Sequence, residues 1–322
     1  MKKVLLATSF LVAGAGFAAA EVSLSGDGRM GIVYNGDDWN FSSRARVKFN
    51  LTGETDTGLS FGAAFRVDQE DELGASASTG SAGSIWVSGA FGKIEMGDTV
   101  GAAEAVLFDL PEVGFTDLDG NAAPGSSGAN EGDYLTGDGA DSITNRDNPS
   151  LLYTYSFDAF TFAASFTDGY QGLSSTDDNQ AFALGAKYAA GNYSVSLAYE
   201  TIDMTSGVDP SAIWLGATAA FGDTTVYALY GSFDDRAVSG VTMDDQIGLG
   251  VEHSFGDIGV SAYLKQTNYS AVIASIGDDS VLNYGIGASY SLGGGATVVG
   301  GIADSNADNA KTVADLGIKF SF

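Results

Sequence analysis

Residues 44–52 read RARVKFNLT, and polar side chains alternate with apolar ones at every position. Successive side chains of a β-strand point to opposite faces, so this stretch predicts a strand with two unlike faces. One face is polar and strongly basic and extends one step earlier in the chain: Ser42, Arg44, Arg46, Lys48, Asn50 and Thr52. The other face is apolar and consists of Ala45, Val47, Phe49 and Leu51.

The same two-residue period extends along most of the chain. It is clearest at residues 22–34, 59–68 and 314–322, where apolar side chains oppose polar ones. Further segments of this kind run near residues 82–97, 150–167, 180–201, 211–233, 244–268 and 281–304. The pattern predicts an all-β chain of about sixteen strands.

The connections between these strands fall into two populations. Short turns carry Gly, Asp or Asn and lie at residues 56–58, 92–93, 158–159, 191–192, 222–223, 256–257 and 293–295. Longer loops are rich in acidic residues, at 37–38, 70–72, 177–178, 234–235, 244–245 and 278–279. Short turns at one end and long loops at the other are typical of an outer-membrane barrel.

The size of such a barrel determines which face meets water. About eight strands enclose an interior that side chains can fill, whereas sixteen enclose a lumen too wide to fill. We therefore expect the polar face to line water and the apolar face to contact lipid, in a transmembrane 16-stranded antiparallel β-barrel. Aromatic residues beside the short turns predict a girdle at one membrane interface: Phe91, Tyr188, Tyr193, Phe221, Phe255, Tyr290 and Phe322.

Composition excludes several other classes of protein. The 322 residues include 14 Lys and Arg against 41 Asp and Glu, which gives a net charge of −27. So acidic a chain lacks the cations that neutralise phosphates, which excludes nucleic acid as a main partner. The chain has no Cys, which excludes a disulfide scaffold and a thiol nucleophile. Its apolar runs stay shorter than the roughly 18–20 residues of a spanning helix.

Residues 1–20 have the organisation of a signal peptide. Lys2 and Lys3 precede an apolar run at 4–17, and Ala18 and Ala20 form a small-residue cleavage site. We therefore expect export from the cytoplasm and a mature barrel domain of residues 21–322. Without Lys2 and Lys3 the mature chain has 12 basic and 41 acidic residues, which is a net charge of −29.

Residues 98–148 break the alternation and form the third long loop, after the fifth strand. The segment holds eleven acids together with apolar residues such as Phe108 and Phe115, and a short helix is predicted over 102–110 before Pro111. Structureless loops of this length are usually functional or disordered. We expect this third loop to fold inward and constrict the lumen, with an external flap as the alternative.

Several blocks of the sequence resemble one family. They are residues 21–27 (EVSLSGD), 35–44 (NGDDWNFSSR), 89–98 (GAFGKIEMGD), 116–119 (TDLD), 134–138 (YLTGD) and 313–322 (VADLGIKFSF). The chain is similar to the trimeric general porins of the Gram-negative outer membrane, and most similar to the Rhodobacter-type porins. Residues 121–130 have no counterpart among these blocks. The resemblance implies a homotrimer within outer-membrane lipid and lipopolysaccharide, and passive diffusion of small hydrophilic solutes.

Basic residues gather on one lumen-facing wall. Its predicted members lie on the first three strands and on the closing strand: Arg29, Arg44, Arg46, Lys48, Arg66 and Lys319. Like charges at close range repel, so this wall needs an opposing field. The third loop offers candidate acids: Glu104, Asp109, Glu112, Asp117 and Asp119. We expect a transverse field across the constriction; the alternative is that these bases are only solvated lumen residues.

The acidic loop also offers a candidate calcium site. Calcium takes six to eight oxygen ligands, and Asp117, Asp119 and Asp138 lie near one another in the chain. No EF-hand spacing supports them. A solvated acidic loop without a metal ion is an equal alternative.

Two rival functions remain to be compared with a general pore. An enzyme of the Ser-His-Asp type needs His253, the one histidine, which shares the outward parity of Leu249 and Val251. We therefore expect no enzyme. A substrate-specific outer-membrane channel is the alternative that remains, but the mixed, Arg-rich constriction favours a general pore.

Overall fold

The computed structural model describes residues 21–70, 83–118, 129–136, 150–167, 179–204, 207–238, 240–273 and 277–322. The predicted signal peptide, residues 1–20, lies outside the described residues. So do most of residues 121–130.

Within the described ranges, sixteen long strands and one two-residue strand make up the sheet. The first half comprises β1 (Glu21–Tyr34), β2 (Trp39–Glu54), β3 (Ser60–Glu70), β4 (Gly83–Gly89), β5 (Gly92–Gly97), β6 (Ser150–Phe157), β7 (Phe160–Thr167) and β8 (Gln180–Ala190). The second half comprises β9 (Tyr193–Asp203), β10 (Ser211–Phe221), β11 (Thr224–Asp234), β12 (Ala237–Val238), β13 (Val241–Phe255), β14 (Ile258–Ile273), β15 (Asp278–Gly293), β16 (Ala296–Ser305) and β17 (Val313–Ser321).

The sheet closes on itself. Each long strand pairs antiparallel with its neighbours in the chain, and β11 pairs directly with β13 because β12 forms only a small side hairpin. The last strand, β17, pairs with β1 from Asp27 opposite Ser321 to Tyr34 opposite Ala314. Closure leaves no unpaired edge, which a bilayer requires. The predicted 16-stranded antiparallel barrel is therefore confirmed.

Some predicted connections fall elsewhere. The acidic pairs 244–245 and 278–279 were expected in loops, but they lie in β13 and at the start of β15. A bulge between Met243 and Asp245 absorbs the irregular register. Asp245 shares the outward parity of Ile247, and its Oδ1 accepts a hydrogen bond from Asn268 Nδ2 at 2.7 Å. Acidic residues therefore mark the strand ends beyond the apolar band as well as the loops.

The outward face is apolar and ends in aromatic residues. Leu249 and Leu264, near the middle of adjacent strands, are 52% and 49% exposed. Each predicted girdle aromatic is also exposed, from Tyr188 at 42% to Phe322 at 83%. The side chains of this face therefore point away from the lumen, as the alternation predicts.

The third loop folds into the barrel, as expected. It contains α1 (Ala102–Val106), which packs against β7, β8 and β9, with the Ala102 N–H donating to Ser165 Oγ at 2.9 Å. The helix is shorter than predicted because the chain leaves it at Leu107, whose side chain packs over Gly216 of β10. Among the described residues, no helix is long and apolar enough to cross a membrane.

The inner wall carries a row of glycines under the third loop, which we call the glycine track. Its members run from β8 to β1: Gly185, Gly216, Gly248, Gly250, Gly287, Gly301, Gly317 and Gly31. A Cβ at Gly250 would lie 2.3 Å from Pro111 Cδ, and one at Gly216 would lie 2.6 Å from Leu107 Cδ2. The loop therefore follows the wall at a distance that only glycine allows.

The lipid face gives a test of the barrel's orientation. Replacing the exposed Leu264 by Arg places a charge in the apolar band, which costs about 2–4 kcal/mol near the bilayer midplane. We expect Leu264→Arg to lower the free energy of unfolding in lipid vesicles by about that amount, measured by urea titration. Ala64→Arg, on the lumen face, is the matched control, and we expect a much smaller decrease in its free energy of unfolding. Equal losses would contradict the assignment of faces.

Candidate functional site

The predicted bases share one wall of the lumen. Register places Arg29 opposite Arg44 on β1 and β2, and Lys48 opposite Arg66 on β2 and β3. Across the closing seam, Lys319 of β17 lies opposite Arg29. With Arg46 these residues form a group that we call the basic wall.

The basic wall contains its own acids, which the sequence analysis did not assign to the site. Arg46 binds Asp68 through two hydrogen bonds, from Nε at 2.9 Å and from Nη2 at 2.7 Å. Arg66 Nε lies 3.3 Å from Asp68 Oδ2, and Arg44 Nη2 donates to Asp27 Oδ1 at 3.0 Å. Bidentate pairs of this kind are among the stronger ionic contacts. Strand parity already places both aspartates on the lumen face, so the signal for them was present.

Part of the wall's positive charge stays available to the lumen. Lys48 is exposed, and within the described residues it forms no ion pair. The Arg66 side chain keeps 44% of its area exposed although it contacts Asp68. These two adjacent side chains therefore present the wall's most accessible cations.

Two of the predicted acids lie where they oppose the wall. Glu112 Oε2 is 3.2 Å from Lys319 Nζ, which joins the third loop directly to a base of the wall. Glu104 lies in the first turn of α1, against β7 to β9, and in a barrel of sixteen long strands these stand across the lumen from β16, β17 and β1. Arg29 Nη1 also donates to the Phe115 carbonyl of the loop, at 3.4 Å.

The carboxylates of Asp109 and Asp117 accept hydrogen bonds within the loop, and their place at the constriction stays a prediction. Asp109 Oδ1 accepts from the Gly132 N–H at 3.0 Å. Asp117 Oδ1 accepts from Asn130 Nδ2 at 3.2 Å and from the Val113 N–H at 3.4 Å. Buried N–H groups must find acceptors, and a loop without a strand partner finds them in its own acids. Asp119 lies outside the described residues.

Desolvation changes the titration of two loop groups. Desolvation by the surrounding protein raises the pKa of the Asp109 carboxyl above its usual range, although the residue keeps an exposed surface and the Gly132 N–H and Lys265 oppose the shift. Burial also raises the pKa of Tyr134 well above its usual value, aided by the charges of Asp109 and Glu200. The Tyr134 hydroxyl donates to the Phe108 carbonyl at 2.8 Å and so stays protonated.

A wall carboxylate holds the returning part of the loop. Glu200 of β9 is fully buried and accepts four hydrogen bonds. Its donors are the Leu135 N–H at 3.0 Å, the Thr136 N–H at 3.1 Å and hydroxyl at 2.7 Å, and Trp214 Nε1 at 2.8 Å. Residues 135–136 are therefore fixed to the wall opposite the basic wall.

A second buried group fixes the neighbouring residues. Lys265 of β14, fully buried, donates to the Glu131 carbonyl at 2.8 Å and lies 3.9 Å from the Asp133 carboxylate. Gln246 also donates to the Asp133 carboxylate, and Arg236 donates to the Asp133 carbonyl. Buried charges are tolerated when they are paired and hydrogen-bonded in this way.

The candidate calcium residues are described only in part. Asp117 is described, whereas Asp119 and Asp138 lie outside the described residues. Within the described part of the chain, no three His, Cys, Asp or Glu side chains gather into a set that could hold a metal ion. Calcium at this loop therefore stays a prediction.

His253 lies on the outward face. Its ring is 4.0 Å from that of Phe255, and Nδ1 is 2.6 Å from Thr224 Oγ1. Phe255 is 63% exposed on the lipid side. This agrees with the predicted orientation and places the imidazole outside the lumen.

Comparisons with known proteins agree on one family. A family profile described as Gram-negative porin matches residues 7–310. A porin of Rhodobacter capsulatus is 48% identical over 319 residues, and a porin of Fuscovulum blasticum is 30% identical over 310 residues. Each alignment covers 94% of this chain and 100% of the relative.

Solved structures show the same similarity. A porin structure refined at 1.8 Å resolution has a TM-score of 0.79 at 44% sequence identity. A double mutant of the Rh. blastica porin has a TM-score of 0.73 at 27% identity. Each match covers 94% of this chain and 100% of the solved chain.

The raised pKa of Asp109 predicts a pH dependence. A carboxyl whose pKa is raised on folding favours the folded state most below its ordinary value of 3.8, and this contribution is lost as pH rises through the raised value. Asp109→Asn keeps an acceptor for Gly132 and carries no charge. We expect the stability of Asp109→Asn relative to the parent to increase between about pH 4 and pH 7, measured by urea unfolding. A pH-independent difference would contradict this assignment.

Proposed function

Because the chain belongs to the Gram-negative porin family and forms an outer-membrane β-barrel channel, we propose that it carries small hydrophilic solutes and ions by passive diffusion. We propose that solutes pass a constriction between the third loop and the basic wall. The observation that carries the proposal is the path of the loop, which follows the glycine track and reaches Lys319 and Arg29 of the basic wall.

The charges at this constriction support a transverse field. The basic wall presents Lys48 and Arg66 to the lumen, and the third loop places Glu112 and Glu104 on its other sides. Dipolar solutes orient in such a field, whereas apolar solutes must disrupt ordered water. Asp27 and Asp68 weaken the field next to the arginines that they pair.

A general pore fits the site better than a channel for one substrate. The pairs Arg46–Asp68 and Lys319–Glu112 present both signs of charge to the lumen. A site dedicated to one anion or one cation would concentrate one sign. The channel therefore discriminates weakly, by size and by its overall field. The chain's membership of a family of channels supports the further proposal that it has no catalytic role.

We also propose a homotrimer surrounded by outer-membrane lipid and lipopolysaccharide. Small outward residues on the first strands, Gly26, Gly28, Ala45, Ala63 and Gly89, allow close packing between subunits. The rings of Phe320 and Phe322 lie within 3.9 Å of the Cβ position of Gly28, so the closing seam belongs to the same outward surface. A structural calcium ion at Asp117 is a lesser proposal that rests on Asp119 and Asp138.

Native mass tests the assembly. We expect three copies of the chain in the detergent-solubilised protein, measured by native mass spectrometry. Replacing Ala45 by Trp adds bulk to the predicted interface and should release monomers. Ala228→Trp, on the outward face of β11, is the control and should leave the mass unchanged. A monomeric parent would contradict the trimer.

Reversal potentials test the constriction charges. The acidic chain raises the local cation concentration at the pore mouth, so we expect weak cation preference at low salt. The preference should fade at 1 M salt, where the Debye length is about 3 Å. Asp68→Asn releases Arg46 and Arg66, and Glu112→Gln releases Lys319. Each variant should shift selectivity towards anions.

Asp234→Asn, on the outward face of β11, removes the same charge outside the lumen and serves as the control. Its reversal potential should match that of the parent. If Asp68→Asn and Glu112→Gln also match the parent, those residues do not face the path of ions. A parent without channels in planar bilayers would contradict the proposed function itself.

A further inference from the structure

One short arc of the third loop borders the basic wall. Residues 112–116 run along β14 to β17 and reach β1, where Glu112 meets Lys319 and the Phe115 carbonyl meets Arg29. Any change in the position of this arc changes the distance between loop and wall. What fixes the arc therefore controls the constriction.

Asp315 of β17 makes the closest polar contacts with the arc. Its Oδ2 accepts from the Thr116 N–H at 2.8 Å and from the Thr116 hydroxyl at 2.7 Å, and the residue is only 5% exposed. Gly114 has φ +85°, and a Cβ there would lie 2.4 Å from Asp315 Oδ1. The loop thus wraps closely around this carboxylate.

The glycine track limits how deeply the arc can lie. A Cβ at Gly301 would lie 2.6 Å from the Gly114 nitrogen. At Gly317 or Gly31 it would lie 2.9 Å from the Phe115 ring. The arc therefore touches the wall along its length and can move only into the lumen.

The other polar contacts of the arc are longer, more exposed to solvent or confined to its start. The hydrogen bond from Arg29 to Phe115 is long, at 3.4 Å. The Lys319–Glu112 pair joins side chains that are 37% and 66% exposed, and solvent screens such pairs. Ser261 Oγ donates to the Glu112 carbonyl at 2.8 Å, but it holds only the start of the arc. Thr116, at the far end, is held by Asp315.

We propose that Asp315 is a positioning residue that holds the arc against the wall and so keeps the constriction open. The inference rests on the proposed function, because it concerns the width of the same pore. Without the carboxylate, residues 114–116 leave the glycine track and enter the lumen. The open channel then becomes narrower and unsteady.

The test compares substitutions at Asp315 in single-channel recordings of the full chain in planar bilayers. Asp315→Ala removes both acceptors, and we expect a lower mean conductance, loss of the single steady open level and a smaller size limit for uncharged sugars. Asp315→Asn can place its amide oxygen at the Oδ2 position and accept both bonds from Thr116, so it should restore most of the steady level. Thr116→Val keeps the N–H and should give an intermediate loss.

Glu95→Ala is the matched control. Glu95 is a lumen-facing carboxylate of β5 with partners Lys93 and Ser84, away from the arc. Glu95→Ala removes one negative charge from the lumen, as Asp315→Ala does. It should alter ion selectivity but keep the steady open level. Thermal unfolding of each variant shows whether the barrel itself has been weakened.

The outcomes separate this inference from the proposed function. A parent without conductance contradicts the function. A conducting parent with a steady, full-sized Asp315→Ala channel overturns the role of Asp315 and leaves the function standing. If Asp315→Ala does not fold, the same recordings are made on Thr116→Val and Gly301→Ala. The added methyl group of Gly301→Ala pushes the arc away from the wall. Steady conductance in both overturns the inference.

Discussion

A lipid bilayer offers no water to an unpaired backbone N–H or C=O, and this constraint determines the architecture. The seam between β1 and β17 removes the two edges that an open sheet would leave. Reciprocal hydrogen bonds between Gly26 and Phe322, at 3.2 and 2.8 Å, carry the pairing to the last residue. Only after closure does the sheet have one face for lipid and another for water, so the polar lumen depends on the seam.

The same constraint explains the acids of the lumen. The third loop has no neighbouring strand within the barrel, so its N–H groups need other acceptors. Glu200 supplies them at residues 135–136 and Asp315 at Thr116, while Asp109 and Asp117 supply them from the loop itself. These four acids of the lumen therefore have a structural role as hydrogen-bond acceptors. Glu112, which binds Lys319, belongs to the smaller set that faces the wall.

How far the sequence predicts the molecule depends on periodicity. Strand alternation places Arg44, Arg46 and Lys48 on one face, and the structure has them there. The same parity places Asp68 on that face, beside Arg46, so alternation also predicts an acid within the basic wall. The hydrogen bond between Asp109 and Gly132 was not predictable, since the side chains of a loop follow no periodic pattern that fixes their direction. Contacts such as Thr116 with Asp315 join positions 199 residues apart, which local patterns do not encode.

The path of the third loop has a consequence for the order of folding. Its contacts run from Gly185 of β8 to Gly31 of β1, and Phe115 lies over the pair formed by Gly31 and Gly317. That pair exists only once the first and last strands have met. The third loop can therefore complete its docking only after the barrel has closed. Until then the lumen beside the loop is wider.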